Sequence, residues 1–202
     1  MAISNLSTSS MVSGVKRRKI WDQSATTDGF FQIATTTLNV ASSTVTFSSI
    51  PQTYTHLQLR IFAQDVRTTY GITEIKLTFN GDTSSNYSQH QIFGDGATAT
   101  AGGTANTSAI TLCDGTIGTT TGGTFGVGIT DILDYTNTNK YKTLRYIGGV
   151  DINGTIAGYG GRVGLSSGNW RSTTAISSIT LISNSLINFS ANSRFDLYGV
   201  KA

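Results

Sequence analysis

Few side chains in this sequence are capable of chemistry, and their spacing limits what they can do. Two histidines, His56 and His90, one thiol, Cys113, and a scatter of carboxylates make up the inventory. His56 opens a run that alternates as a strand and His90 lies within another, while Cys113 stands beside Asp114 and Gly115 at a strand end. A Cys113–histidine dyad is the nucleophilic arrangement open to these residues. The competing reading ranks ahead of it, because a lone cysteine usually serves as a small buried apolar group. Glycoside hydrolysis needs two carboxyl groups a few ångströms apart. Asp131 and Asp134 are three apart on a strand and so face opposite ways; they read as strand-end and turn acids.

Metal and phosphate motifs fare no better. Asp151-Ile152-Asn153-Gly154 opens like a calcium loop, but the third acidic position and the distal Glu are missing, so it reads as a turn. The glycine-rich stretch from Gly158 to Gly164 is not followed by Lys-Ser or Lys-Thr and reads as an exposed loop, not a phosphate cradle. The expectation is a non-enzymatic protein with no metal and no cofactor.

Two groups of residues suggest binding. Lys16, Arg17, Arg18 and Lys19 are consecutive and lead through Ile20 to Trp21. Three readings stand: a docking arm against an acidic partner, a nucleic-acid contact, or a solvated tail. Docking ranks first because a Trp flanked by charges is a residue type that anchors interfaces. Nucleic acid ranks last because four charges are few for holding a genome. The second group is aromatic: Tyr135, Tyr141, Tyr146, Tyr159 and Trp170. Exposed, they would stack on sugar rings; the alternative, ranked ahead, is packing in the core or between subunits. Tyr159 and Trp170 are the candidates for a receptor or subunit contact.

These residues must be carried by some scaffold, and composition indicates which. The 202-residue chain has room for one all-β domain with a real core. Charged residues are only 12% and apolar residues 38%, with 23 glycines, so the surface is expected to be neutral and covered with Thr, Ser and Asn. Net charge is +3, but outside the basic tetrad the balance is near neutral, which argues against a broad nucleic-acid-binding face. One cysteine permits no intrachain disulfide, which suits assembly in a reducing cytoplasm. No apolar run of about 20 residues is present to span a membrane, and the first residues lack the pattern of a signal peptide.

Residues 1–28 have no strand or helix period and read as an extended N-terminal docking arm. Residues 29–202 read as one β-sandwich domain. Period-two alternation places strands at 32–40, 44–47, 56–64, 74–80, 87–93, 110–112, 125–133, 141–148, 161–165, 176–182 and 194–200. Asn80-Gly81-Asp82 is a tight-turn signal returning the chain into the strand at 87–93, and 94–108 and 115–124 read as exposed loops. The predicted core is Leu57, Leu59, Ile61, Ile75, Leu77, Phe79, Ile179, Leu181, Phe195 and Leu197. Such a strand-rich chain without helices points to a two-sheet sandwich of jelly-roll type.

The blocks VTFSSIPQTYTHLQLRI (45–61), LTFNGDTSSNYSQH (77–90), DILDYTNTNKYKTLR (131–145), GNWRSTTAISSITL (168–181) and RFDLYGVKA (194–202) carry a family likeness. Together they resemble the short jelly-roll-like structural proteins, appendage or decoration components, of marine and cyanobacterial tailed phages. The resemblance covers most of the chain from residue 30. It implies a virion component with no catalytic motif, in the tail fibre, the tail tip or the capsid decoration. The expected partners are further copies of the chain, as a trimer, and other virion proteins. A receptor- or glycan-binding adhesion module is the alternative, and a polysaccharide hydrolase a distant third.

Overall fold

A computed structural model of the chain describes residues 29–68, 71–117, 123–152, 160–184 and 187–201, with backbone alone for 113–117. The residues expected to form the arm, 1–28 with Lys16, Arg17, Arg18, Lys19 and Trp21, lie outside the described residues, as does Tyr159.

Twelve strands account for most of what is described: β1 Gly29–Thr37, β2 Thr44–Phe47, β3 His56–Ala63, β4 Ile72–Phe79, β5 Tyr87–Gly94, β6 Ala99–Thr107, β7 Ile110–Ile117, β8 Gly126–Leu133, β9 Lys142–Asp151, β10 Gly161–Trp170, β11 Ile179–Ser183 and β12 Arg194–Lys201. They form two antiparallel sheets, one of eight strands in the order β1-β12-β3-β8-β9-β10-β5-β6 and one of four in the order β2-β11-β4-β7. The protein is thus an all-β sandwich.

The pairing follows a nested rule. β1 pairs with β12, β2 with β11, β3 with β8 and β4 with β7, so the two halves of the chain run against each other like one long hairpin. The pairs β12–β3 and β11–β4 then join these ladders into the two sheets. Two insertions extend the larger sheet. The β5–β6 hairpin comes between β4 and β7, the β9–β10 pair between β8 and β11, and β10 joins β5. β7 crosses the inner side of β8, β9, β10 and β5.

All ten predicted core residues are buried, and Val45, Phe47, Leu112, Ile132, Leu144 and Phe189 pack with them between the sheets. Each such side chain removed from water contributes about 1.5–3 kcal/mol before the entropy of ordering it. Strict alternation fixes which side of each strand is buried, because a one-residue slip would turn the whole apolar set outward.

Three expectations need correction. The stretch 94–108, read as a loop, contains β6. Its Ala, Gly, Thr and Asn carry no apolar period; the strand exists because β5 offers a ladder and the turn at Asp95–Thr98 delivers the chain to it. In that turn the Asp95 carboxylate accepts from the amides of Ala97 (2.9 Å) and Thr98 (2.7 Å), and Gly96 takes φ +90°. The glycine-rich 158–164 stretch is likewise not a loop throughout, since Gly161–Gly164 opens β10. Finally, Asn80-Gly81 is the tight turn expected, with φ +53° and +67° and Asp82 N–H donating to the Phe79 carbonyl (2.9 Å), the geometry of a type I′ turn. It does not close a hairpin. Both edges of β4 are occupied, by β11 and β7, so β5 crosses to the other sheet.

Candidate functional site

Of the aromatic residues weighed between stacking on sugars and packing, those described are mostly inside, as the reading ranked ahead requires. Trp170 is 3% exposed: its ring stacks on Tyr87 (centroids 6.2 Å apart) and lies 5.5 Å from Phe79, and its indole N–H donates to Asp82 Oδ2 at 2.7 Å. It therefore presents no side-chain surface to a receptor or a second subunit. Gly168-Asn169-Trp170, turn-like in composition, is the end of β10, and period two places Trp170 inward with Gly164, Ser166 and Gly168. Asp82 also accepts from Asn86, and these two bonds, from Asn86 and Trp170, hold its carboxyl down to about 2. Tyr135 and Tyr146 are fully buried, and Tyr141 alone of the described group is open to solvent.

Tyr146 explains an inversion in the neighbouring strands. Its side chain covers Gly128 and Gly148, which face each other on β8 and β9; an added Cβ would stand 2.3 Å from a ring carbon at the first and 2.0 Å from the hydroxyl oxygen at the second. On β10, a Cβ at Gly168 would meet Ile110 at 2.6 Å. Gly128, Gly148 and Gly168 are therefore kept small to admit the Tyr146 and Ile110 side chains. Val127, Ile129, Leu133, Ile147, Val163 and Leu165 of these strands point outward, while Ile132, Leu144 and Val150 stay inside.

The result is an apolar outer face. One row across β8, β9, β10, β5 and β6 reads Ile129, Ile147, Leu165, Ile92 and Ala101, unbroken. The next reads Val127, Gly149, Val163, Gly94 and Ala99, with Phe62 on β3 beside Val127 and stacked on Phe125 at 4.6 Å. The four large members of the first row are between 40% and 56% exposed. A groove of about 770 Å³ runs along this face past Ile92, Leu133 and Leu165 to Arg145 and His90.

Polar groups border the apolar rows. Asp131 accepts from Arg145 (3.0 Å) and from Gln58 (2.9 Å), Arg60 donates to Gln58 (3.0 Å) and lies over the Tyr198 ring at 4.5 Å, and Arg194 donates to Asp196 (3.0 Å). Asp131, Arg145, Ser167 and His90 form one cross-strand row, which brings a serine, a histidine and an aspartate together. They do not form a relay. Asp131 and His90 are three strands apart, about 14 Å, and the His90 ring covers Gly103 on β6, the side away from Ser167.

The remaining candidates are engaged locally. His56 Nδ1 accepts the Asp134 amide at 3.0 Å. The Asp134 carboxyl is held below its ordinary value by the Lys140 ammonium at 2.8 Å, so Asp131 and Asp134 serve separate partners. Cys113 lies on β7, and its side chain is outside what is described. So is most of the segment beginning at Asp151, since 153–159 are not described. Among the described residues no three His, Cys, Asp or Glu side chains gather as metal ligands would, and no helix is long and apolar enough to cross a membrane.

Sequence reasoning missed the apolar outer face. The signal was present in GVGITDIL and GRVGLSSGNW, where Val127, Ile129 and Leu133, and Val163 and Leu165, alternate with Gly128 and Thr130, and with Gly164 and Ser166. Taking the aliphatic series as the buried one gives the wrong side. Searches against protein-family models, curated proteins and solved structures found no match.

Proposed function

We propose that the chain is a virion structural protein of a tailed bacteriophage, a tail-fibre, tail-tip or capsid-decoration component that assembles as a homo-oligomer, a trimer, in the host cytoplasm. Its N-terminal arm, through Lys16, Arg17, Arg18, Lys19 and Trp21, fixes it to other virion proteins, and the sandwich faces outward. The observation that carries this reading is the aliphatic outer face of β8, β9, β10, β5 and β6. A domain that works alone in water gains nothing from such a face, whereas a subunit of an assembly does. The nested pairing β1–β12, β2–β11, β3–β8 and β4–β7 supports classing the sandwich as a jelly roll, an architecture used for viral shells and appendages. The sequence resemblance to phage structural proteins adds to it.

A second reading, a receptor- or glycan-binding module, is favoured by the groove itself, where Asp131, Arg145 and His90 supply polar groups beside an apolar floor. It ranks second because that floor is aliphatic, and sugar rings are held better by aromatic faces. Mass spectrometry of purified particles tests the main reading: the chain is expected at stoichiometric copy number. A chain absent from particles that binds a defined glycan on an array would replace it with the second.

A further inference from the structure

The geometry points to a second copy of this chain as the occupant of the apolar outer face, so that the strands β8, β9, β10, β5 and β6 of each protomer turn toward the axis of the oligomer and pack against the same sheet of its neighbours. This deepens the virion reading and rests on it for its biological setting, but it is tested on the purified chain.

The two outer faces of the sandwich differ in kind. That of the four-stranded sheet carries Thr44, Thr46, Thr180, Lys76 and Glu74 around two half-buried aliphatics, Ile72 and Ile182, with Thr46 and Thr180 hydrogen-bonded across the strands at 3.1 Å. That is a surface suited to water. The other face carries Ile129, Ile147, Leu165, Ile92, Val127 and Val163 instead. The four-stranded face is thus mainly polar, and the continuous aliphatic rows lie on the other.

Size, charge and edge chemistry favour a like partner. Five strands at about 4.8 Å, each of about eight residues at 3.3 Å, give a face of roughly 600 Å², near the ~800 Å² that each side of a stable interface buries. Including Phe62 and Arg60 on β3 closes most of the difference. The bordering charges interleave, with Arg145 against Asp131, Arg194 against Asp196 and Arg60 between them. No single-sign field therefore repels an identical face, and an arginine of one copy can meet an aspartate of the other. The face also runs to the free edge strand β6, which has no charged residue and no proline to discourage association. Residues 1–28 are a poorer occupant, since four consecutive cations do not match a floor of Ile, Leu and Val.

Sedimentation velocity on the full-length chain tests this. The wild type is expected to self-associate at micromolar concentration, and Ile147→Asp with Leu165→Asp to weaken association by at least about a hundredfold while the urea midpoint holds. Thr46→Asp on the opposite sheet should leave association unchanged. If the aspartate variant unfolds, Ile147→Thr with Leu165→Thr keeps strand propensity and should still weaken association about tenfold or more. A wild type that stays monomeric at its highest soluble concentration overturns the inference. So does association that survives the folded face variants, or that is lost only on deleting residues 1–28. A chain found in particles yet monomeric in solution refutes this interface and leaves the virion reading standing; self-association through this face by a chain absent from particles does the reverse.

Discussion

Replacing Trp170 separates a core residue from a recognition residue. Trp170→Ala removes a ring packed against Phe79 and Tyr87 and opens a cavity at the corner where β10 meets the β4–β5 connection, a change that costs about 3–5 kcal/mol in a buried site. Trp170→Phe keeps part of the ring but loses the indole donor to Asp82, a bond to a charged acceptor worth about 1.5–3 kcal/mol, so a loss of about 2–3 kcal/mol is expected. Asp82→Asn tests the same bond from the other end, and the double-mutant cycle should give a coupling of about 1 kcal/mol or more. Urea denaturation with an unchanged m-value is the assay. The pH dependence has a definite sign. The Asp82 carboxyl is depressed to about 2 in the fold, chiefly by Asn86 and then Trp170, from an ordinary value of 3.8. It therefore contributes stability that is complete above pH 4 and is lost as pH falls through 2, and the gap between wild type and Asp82→Asn should close over that interval. A Trp170→Ala variant with an unmoved urea midpoint and lost affinity for a partner would refute the placement of this ring in the core.

Other consequences are simpler to read. Gly148→Ala drives a methyl into the Tyr146 ring and should cost about 1–3 kcal/mol by urea denaturation, whereas Gly102→Ala on β6, where an added Cβ meets nothing within 4 Å, should change little. Lys142 is buried with its ammonium donating to the carbonyls of Asn137 (2.6 Å), Lys140 (2.9 Å) and Thr173 (3.2 Å); Lys142→Met orphans all three and should lower stability by about 2–4 kcal/mol in the same assay. Charge reversal of Lys16, Arg17, Arg18 and Lys19 to Glu should abolish incorporation into particles and leave the thermal midpoint unmoved, as read by particle composition and calorimetry.

Strands with one aliphatic and one polar series were legible in the sequence. His56–Ala63 and Ile72–Phe79 each have one apolar side, and Leu57, Leu59, Ile61, Ala63, Ile75, Leu77 and Phe79 went inward as the pattern required. β6 was not legible because its residues have no preference of their own and adopt the ladder that β5 provides. The sidedness of β8 and β10 was not legible either. It depends on Tyr146 and Ile110, side chains of other strands that claim the space over Gly128, Gly148 and Gly168, a tertiary fact with no local mark. Trp170 was misread for a related reason. A turn-like Gly-Asn-Trp-Arg sequence is extended here by its ladders with β5 and β9, and only that extension points the indole at Asp82.

The central claim, that this sandwich is a subunit of a phage particle, is tested most directly by a particle reconstruction at a resolution that separates strands. The account predicts density for an eight-stranded and a four-stranded sheet repeated around a symmetry axis, with the outer face of β8, β9, β10, β5 and β6 covered by a neighbouring copy and residues 1–28 running onto another virion protein. Particles that contain no such density would contradict it, whereas isolated copies with that face open to solvent would refute the interface alone.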